Sequence, residues 1–122
     1  MKKIGVFGSE YQADKLLVIK RLFEKLTSLG AEVFVDRDFF LFLTDVLNYE
    51  PSVSGILTSD EFDLDVALSL GGDGTFLRTA ARVNKQDIPI LGINTGRLGF
   101  LADVASNDIE DTLDELFENY YK

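Results

Sequence analysis

Residues 69–80, SLGGDGTFLRTA, set a single carboxylate, Asp73, among Gly71, Gly72 and Gly74 directly after an apolar run. Glycines without a Cβ let a phosphate approach peptide N–H groups closely and let the backbone take conformations closed to other residues. A carboxylate inside such a loop would repel that phosphate unless a metal ion or a donated hydroxyl proton compensated. The combination therefore points to a transferase that aligns a nucleophile more than to a passive phosphate cradle. A plainer reading stands beside it, because Asp ahead of a helix is a favoured N-cap and glycine is common in turns. Neither of the two best-known phosphate motifs fits. Read as G-x-G-x-x-G from Gly72, the stretch has Leu77 in place of the third glycine, and no lysine follows a glycine as a P-loop requires.

A second turn, GINTGRLGFLAD at 92–103, repeats the logic. Asn94 and Thr95 offer hydrogen-bonding groups, Gly96 and Gly99 backbone access, Arg97 positive charge, and Phe100 a flat face for a base. Taken singly, each has a structural use: Asn94 and Thr95 as turn formers, Arg97 as a solvated charge, Phe100 as core. Two such turns after neighbouring strands suggest a nucleotide or phosphate site at the carboxyl edge of a sheet.

The rest of the chain narrows the chemistry. Histidine and cysteine are both absent, which leaves acid–base work to carboxylates, lysine or tyrosine and removes disulfides and thiolate metal sites. A net charge of −9 argues against nucleic-acid and acidic-membrane partners. With 122 residues, 46% of them hydrophobic, one core is affordable. The apolar stretch in MKKIGVFG is too short for a signal peptide and no segment reaches transmembrane length, so a cytoplasmic location is expected.

The elements that must position these turns follow from periodicity. KIGVFG (3–8) reads as a strand. Tyr11 to Leu29 reads as a helix with Leu16, Ile19, Leu22, Phe23 and Leu26 at spacings of three and four, stopped by Gly30. AEVFVD (31–36) is a second strand. DFFLFLTDVLN (38–48) is a second helix, too continuously apolar to have one wet face, and buried or in part turned to a partner. Residues 49–65 lack a sustained period and read as a surface loop, with room for a short strand at Ile56 to Thr58. DVALSLGG (65–72) is a buried central strand. Thr75 to Val83 can be helical, with Leu77, Ala80 and Ala81 on one side and Arg78 and Arg82 on the other. IPILGIN (88–94) is the next strand, an extended run follows the second turn, and an acidic helix covers 109–121. Strand and helix in alternation imply parallel pairing through crossovers.

The two turns together, GGDGTFLRTA (71–80) and N-x-G-x-L-G-F (Asn94, Gly96, Leu98, Gly99, Phe100), resemble the N-terminal domain of the NAD kinases. The first element is shared with lipid kinases and, in a close variant, with phosphofructokinases; the second discriminates. The resemblance implies an α/β fold, a Rossmann-like or phosphofructokinase-like open, mostly parallel sheet flanked by helices. It also implies phosphorylation of the adenosine-ribose 2′-hydroxyl of NAD by ATP or polyphosphate, with Mg²⁺ or another divalent cation. Asp73 would be the base and aligner of that hydroxyl. Gly71, Gly72, Gly74 and Thr75 would bind phosphate or nucleotide with Asn94, Thr95 and Gly96, while Arg78 would lie near the dinucleotide and Phe100 near the adenine. A helix N-terminus stabilises the ionised carboxylate, so Asp73 would serve chiefly to orient the hydroxyl and accept its proton late. The family carries a second, largely β domain that is not found within residues 1–122. Little or no activity is therefore expected of this chain alone, and homo-oligomers are expected of the intact protein. The alternatives are half of a lipid kinase, disfavoured by the second element and by the absence of a basic amphipathic surface, and a non-catalytic nucleotide-binding module in which Asp73 only caps a helix.

Overall fold

The fold is that of a computed structural model, which describes residues 3–8, 16–59, 62–83, 86–94 and 104–105, and residues 111, 113–115 and 117 of the terminal segment. Its elements run β1 (Lys3–Gly8), α1 (Leu16–Ser28), β2 (Glu32–Asp36), α2 (Arg37–Asp45), β3 (Gly55–Leu57), β4 (Val66–Gly71), α3 (Asp73–Val83), β5 (Ile90–Asn94) and β6 (Val104–Ala105). The six strands pair in the order β3-β2-β1-β4-β5-β6, every pair parallel. The chain thus winds outward from β1 to one edge, returns to β4 beside β1, and winds outward to the other edge. β1 and β4 flank the point where the order reverses.

Alternation along the strands divides the core in two. Ile4, Val6, Val33, Val35, Val66, Leu68, Leu70 and Ile93 point to one face and meet Ile19, Leu22, Phe23 and Leu26 of α1 and Phe39, Phe42 and Leu43 of α2. The periodic residues of the first helix are thus its buried ones, except Leu16, which is only half-buried. The continuous apolar run of α2 resolves by rotation: Phe39 and Leu43 are fully buried, whereas Leu41 is 41% exposed. Of the helix expected over 109–121, the described residues are helical. Leu113 is buried in this same core, with Phe117 packed against it, and Lys25 pairs with Asp114 at 2.9 Å.

The opposite face carries Phe7, Leu57, Leu64 and Ala67 with Val83 of α3. Part of its cover is the stretch expected to be a surface loop. β3 forms at Gly55–Leu57, one residue earlier than Ile56 to Thr58, and beyond it Phe62 and Leu64 fold back over the sheet, the Phe62 ring 5.8 Å from that of Phe7. Helix α3 differs from the expected division into apolar and arginine sides. Leu77 is 61% exposed, while Thr75, Thr79 and Val83 are buried. The polar partner on β4 explains the choice: Ser69 is itself 2% exposed, and the Thr79 hydroxyl bonds to it at 3.3 Å and to the Thr75 carbonyl at 2.9 Å. A buried hydroxyl needs a hydrogen-bonding neighbour, which leucine cannot supply.

Candidate functional site at the carboxyl edge of the sheet

Parallel register brings the glycine turn and the second turn to one sheet edge. Gly8, the last residue of β1, lies opposite Leu70, Gly71 opposite Asn94, and Asn94 opposite Ala105. In open parallel sheets the crevice for a ligand opens at this edge, where the strand order reverses. Gly71, Gly72, Asp73, Gly74 and Thr75 form its β4 side and Asn94 its β5 side. Thr95, Gly96 and Phe100 lie outside the described residues, as do Arg97, Leu98 and Gly99.

Each glycine of the turn has a different reason to lack a side chain. Gly71 has φ +150°, and a Cβ there would come within 2.6 Å of Thr75 Oγ1 and 2.9 Å of Thr75 Cβ. It is glycine because of the protein itself. A Cβ on Gly72 would meet nothing within 4 Å, and one on Gly74 would meet only Arg78 Nη1 at 3.5 Å. No packing within the described structure forbids a side chain at these two, so their bareness leaves backbone open toward the crevice.

Helix α3 starts two residues earlier than expected. The Gly72 carbonyl accepts from the Phe76 N–H at 3.1 Å, the first bond of the helical ladder, so Gly72 is the N-cap and Asp73 the first helical residue. The capping role belongs to a glycine, and the aspartate stands one place further on. The early N–H groups of α3 have no acceptor within the helix, and its positive end faces the crevice. Thr75 is 7% exposed and its hydroxyl accepts from Arg78 Nη2 at 3.3 Å, which leaves its backbone rather than its side chain for a ligand. The same bond holds the exposed Arg78 back along the first turn of α3, a positive charge beside the glycines.

Two residues that sequence reasoning passed over complete the surroundings. Asp36 ends β2 and occupies the N-cap position of α2, yet makes no side-chain capping bond. Its carboxylate instead pairs with Arg82 Nη1 at 2.5 Å. An acid closing a strand was a visible signal; its partner, 46 positions away, was not. Elsewhere, a cleft of about 290 Å³ lined by Ala80, Val83, Asp87, Ile88, Pro89 and Ile90 opens at the other end of α3. It contains none of the glycine-turn residues and is separate from the crevice. Among the described residues no group of three or more acidic side chains gathers to hold a metal ion, and no helix is long and apolar enough to cross a membrane.

A doubly wound parallel sheet with a glycine-capped helix at its point of reversal is an α/β architecture in which ligands settle at that edge. The family comparison makes this specific: residues 20–121 match the ATP-NAD kinase N-terminal domain, and the chain belongs to that family. It is 46% identical over 119 residues to an NAD kinase of Bacteroides fragilis and 39% identical over 118 residues to one of Porphyromonas gingivalis. These alignments cover 98% and 97% of this chain and 41% of each relative, so the chain spans about two fifths of their length. A crystal structure of a yeast NADH kinase complexed with NADH shares the fold with a TM-score of 0.76, over 97% of this chain and 38% of that one, at 16% identity.

Proposed function

We propose that the protein carrying this chain is an NAD kinase, which transfers a phosphoryl group from ATP or polyphosphate to the adenosine-ribose 2′-hydroxyl of NAD. The observation that supports this most is Asp73 in the first helical position of α3, one residue past a glycine N-cap and at the reversal of the strand order, in a chain of the ATP-NAD kinase family. Phosphate oxygens are received by the N–H groups of the Gly71–Thr75 turn. The positive end of α3 and Arg78 offset their charge. Asp73 orients the ribose hydroxyl. As its oxygen bonds to the terminal phosphorus of ATP, the bond to the bridging oxygen breaks, ADP leaves, and the hydroxyl proton passes to the Asp73 carboxylate. Asn94, Thr95 and Gly96 hold the nucleotide from the β5 side, and Phe100 packs near the adenine.

A divalent cation is part of this reading: magnesium takes hard oxygens and keeps substrate phosphates among its partners, so it would come with the ATP phosphates while Asp73 keeps its part toward the ribose hydroxyl. When bound, the ion neutralises charge on the transferring group. A cytoplasmic homo-oligomer belongs to the same reading, and cell fractionation and gel filtration test it. The lipid-kinase alternative gains nothing from the family match, which is to ATP-NAD kinases.

Replacing Asp73→Asn in the full-length protein is the decisive experiment. Removing a positioned acid–base group lowers transfer by about 10²- to 10⁴-fold, whereas NAD affinity, measured by calorimetry, stays near that of the wild type. Undiminished NADP⁺ formation would return Asp73 to a purely structural part, and no NADP⁺ from the unaltered full-length protein would favour the non-catalytic module.

A further inference from the structure

Helix α3 belongs to the second winding of the sheet, yet its last turn is fastened to the first. Arg82 extends across the sheet face to three places there. One guanidinium nitrogen bonds to Asp36 at the end of β2, another lies 3.5 Å from the Ser59 carbonyl just past β3, and the guanidinium carbon sits 5.1 Å from the centre of the Phe7 ring in β1. Gln86 extends the fastening by donating to the Arg82 carbonyl at 3.4 Å while accepting from the Phe62 N–H at 2.8 Å. The pair is partly sheltered, with side-chain exposures of 28% for Arg82 and 14% for Asp36, so water screens it less than a surface pair.

Asp36 gives up a local role to make this contact. At the N-cap of α2 a carboxylate ordinarily accepts from the backbone N–H groups of the first turn, and here it makes no such bond. It is spent on a partner in the other winding. The planar fork of arginine meets two acceptors while lying against an aromatic ring, which the single ammonium of lysine cannot reproduce.

The opposite end of the same helix carries Gly72 and Asp73. With 11 residues, α3 is a rod of about 16 Å. It rests on β4 through the Thr79–Ser69 bond and the contact of Thr75 with Gly71. Its far end is held by Val83, buried with Phe7 and Ala67, and by the Arg82 fastening, which ties it sideways to the first winding and so bears on its tilt. We propose that Arg82, through Asp36, is a positioning residue that sets the tilt of α3 and thereby the placing of Asp73 against the crevice. This rests on the NAD kinase reading above. Arg82 touches no substrate; it acts through the helix it anchors.

The test is steady-state kinetics on the full-length protein, well below the melting temperature of every variant, with Asp73→Asn alongside. Arg82→Met and Asp36→Asn are each expected to lower kcat by about 10- to 100-fold, the penalty of a small misplacement of reacting groups, while KM for NAD changes less than about twofold. The double variant should fall no further than Arg82→Met alone, because that substitution has already removed the contact Asp36→Asn would weaken. Arg82→Lys should recover part of kcat. A wild-type kcat in Arg82→Met, losses that multiply in the double variant, or a raised KM with kcat intact would each overturn the positioning role even with Asp73→Asn inactive. If Arg82→Met does not fold, Asp36→Asn and Arg82→Lys carry the same comparison. Retained transfer in Asp73→Asn, or no NADP⁺ from the wild type, would instead sink the reading of the site, and the proposal with it.

Discussion

Gly71 and Gly72 are neighbours with opposite obligations. Gly71 answers to the fold, since its φ of +150° and the nearness of Thr75 exclude a side chain. Gly72 faces open space, so no packing among the described residues requires it to be bare. Gly71→Ala should therefore destabilise the protein by about 1–3 kcal/mol, the scale of one residue forced into a sparsely populated conformation, read from urea unfolding. Gly72→Ala, at the N-cap of α3, should cost less, about 0.5–1 kcal/mol, and weaken ATP binding on the order of tenfold, the equivalent of one hindered hydrogen bond. Equal losses of stability at the two positions would mean that Gly72 serves the fold after all. The glycines and the aspartate stand out in the sequence because each is an exception to its surroundings. Asp36 and Arg82 do not, because an acid at a strand end and an arginine on a helix are ordinary until they meet.

At the scale of elements, α1 was readable from its spacing, α2 as a helix but not by its buried side, and α3 only in part. A spacing rule assumes that the apolar side goes inward. In α3 the sheet offers the Ser69 hydroxyl and the close-approaching Gly71, so Thr75 and Thr79 go inward and Leu77 stays out. The terminal segment obeys the rule. Leu113 is fully buried, and Asp114, whose side chain is 51% exposed, pairs with Lys25. Leu113→Ala should cost about 2–5 kcal/mol through lost burial and a cavity, and Asp114→Asn no more than about 1 kcal/mol. Chemical denaturation of the two variants side by side measures the difference. A large effect of Asp114→Asn with a small one of Leu113→Ala would show that charge, not packing, ties this segment down.

On the scale of the whole molecule, one edge of the sheet gathers Gly8, the glycine turn and Asn94, residues far apart in the chain. The chain covers 41% of the length of its NAD kinase relatives, so most of a relative's residues have no counterpart in it. Purified alone, the chain is expected to form little or no NADP⁺ from NAD, ATP and Mg²⁺ in a coupled assay. Turnover comparable to that of an intact enzyme would show that these residues suffice.

The alternation of strand and helix, the buried stripe of α1, the central β4 and the bare turn around Asp73 were determined by the sequence itself. They depend on side-chain period and on backbone conformations that only glycine takes readily, and both are properties of residues close together in the chain. Tertiary structure decided the rest: the strand order that reverses between β1 and β4, the inward threonines of α3, and the pairing of Arg82 with Asp36 across 46 positions. These are choices between partners distant in sequence, settled by which surfaces the folded sheet presents to one another.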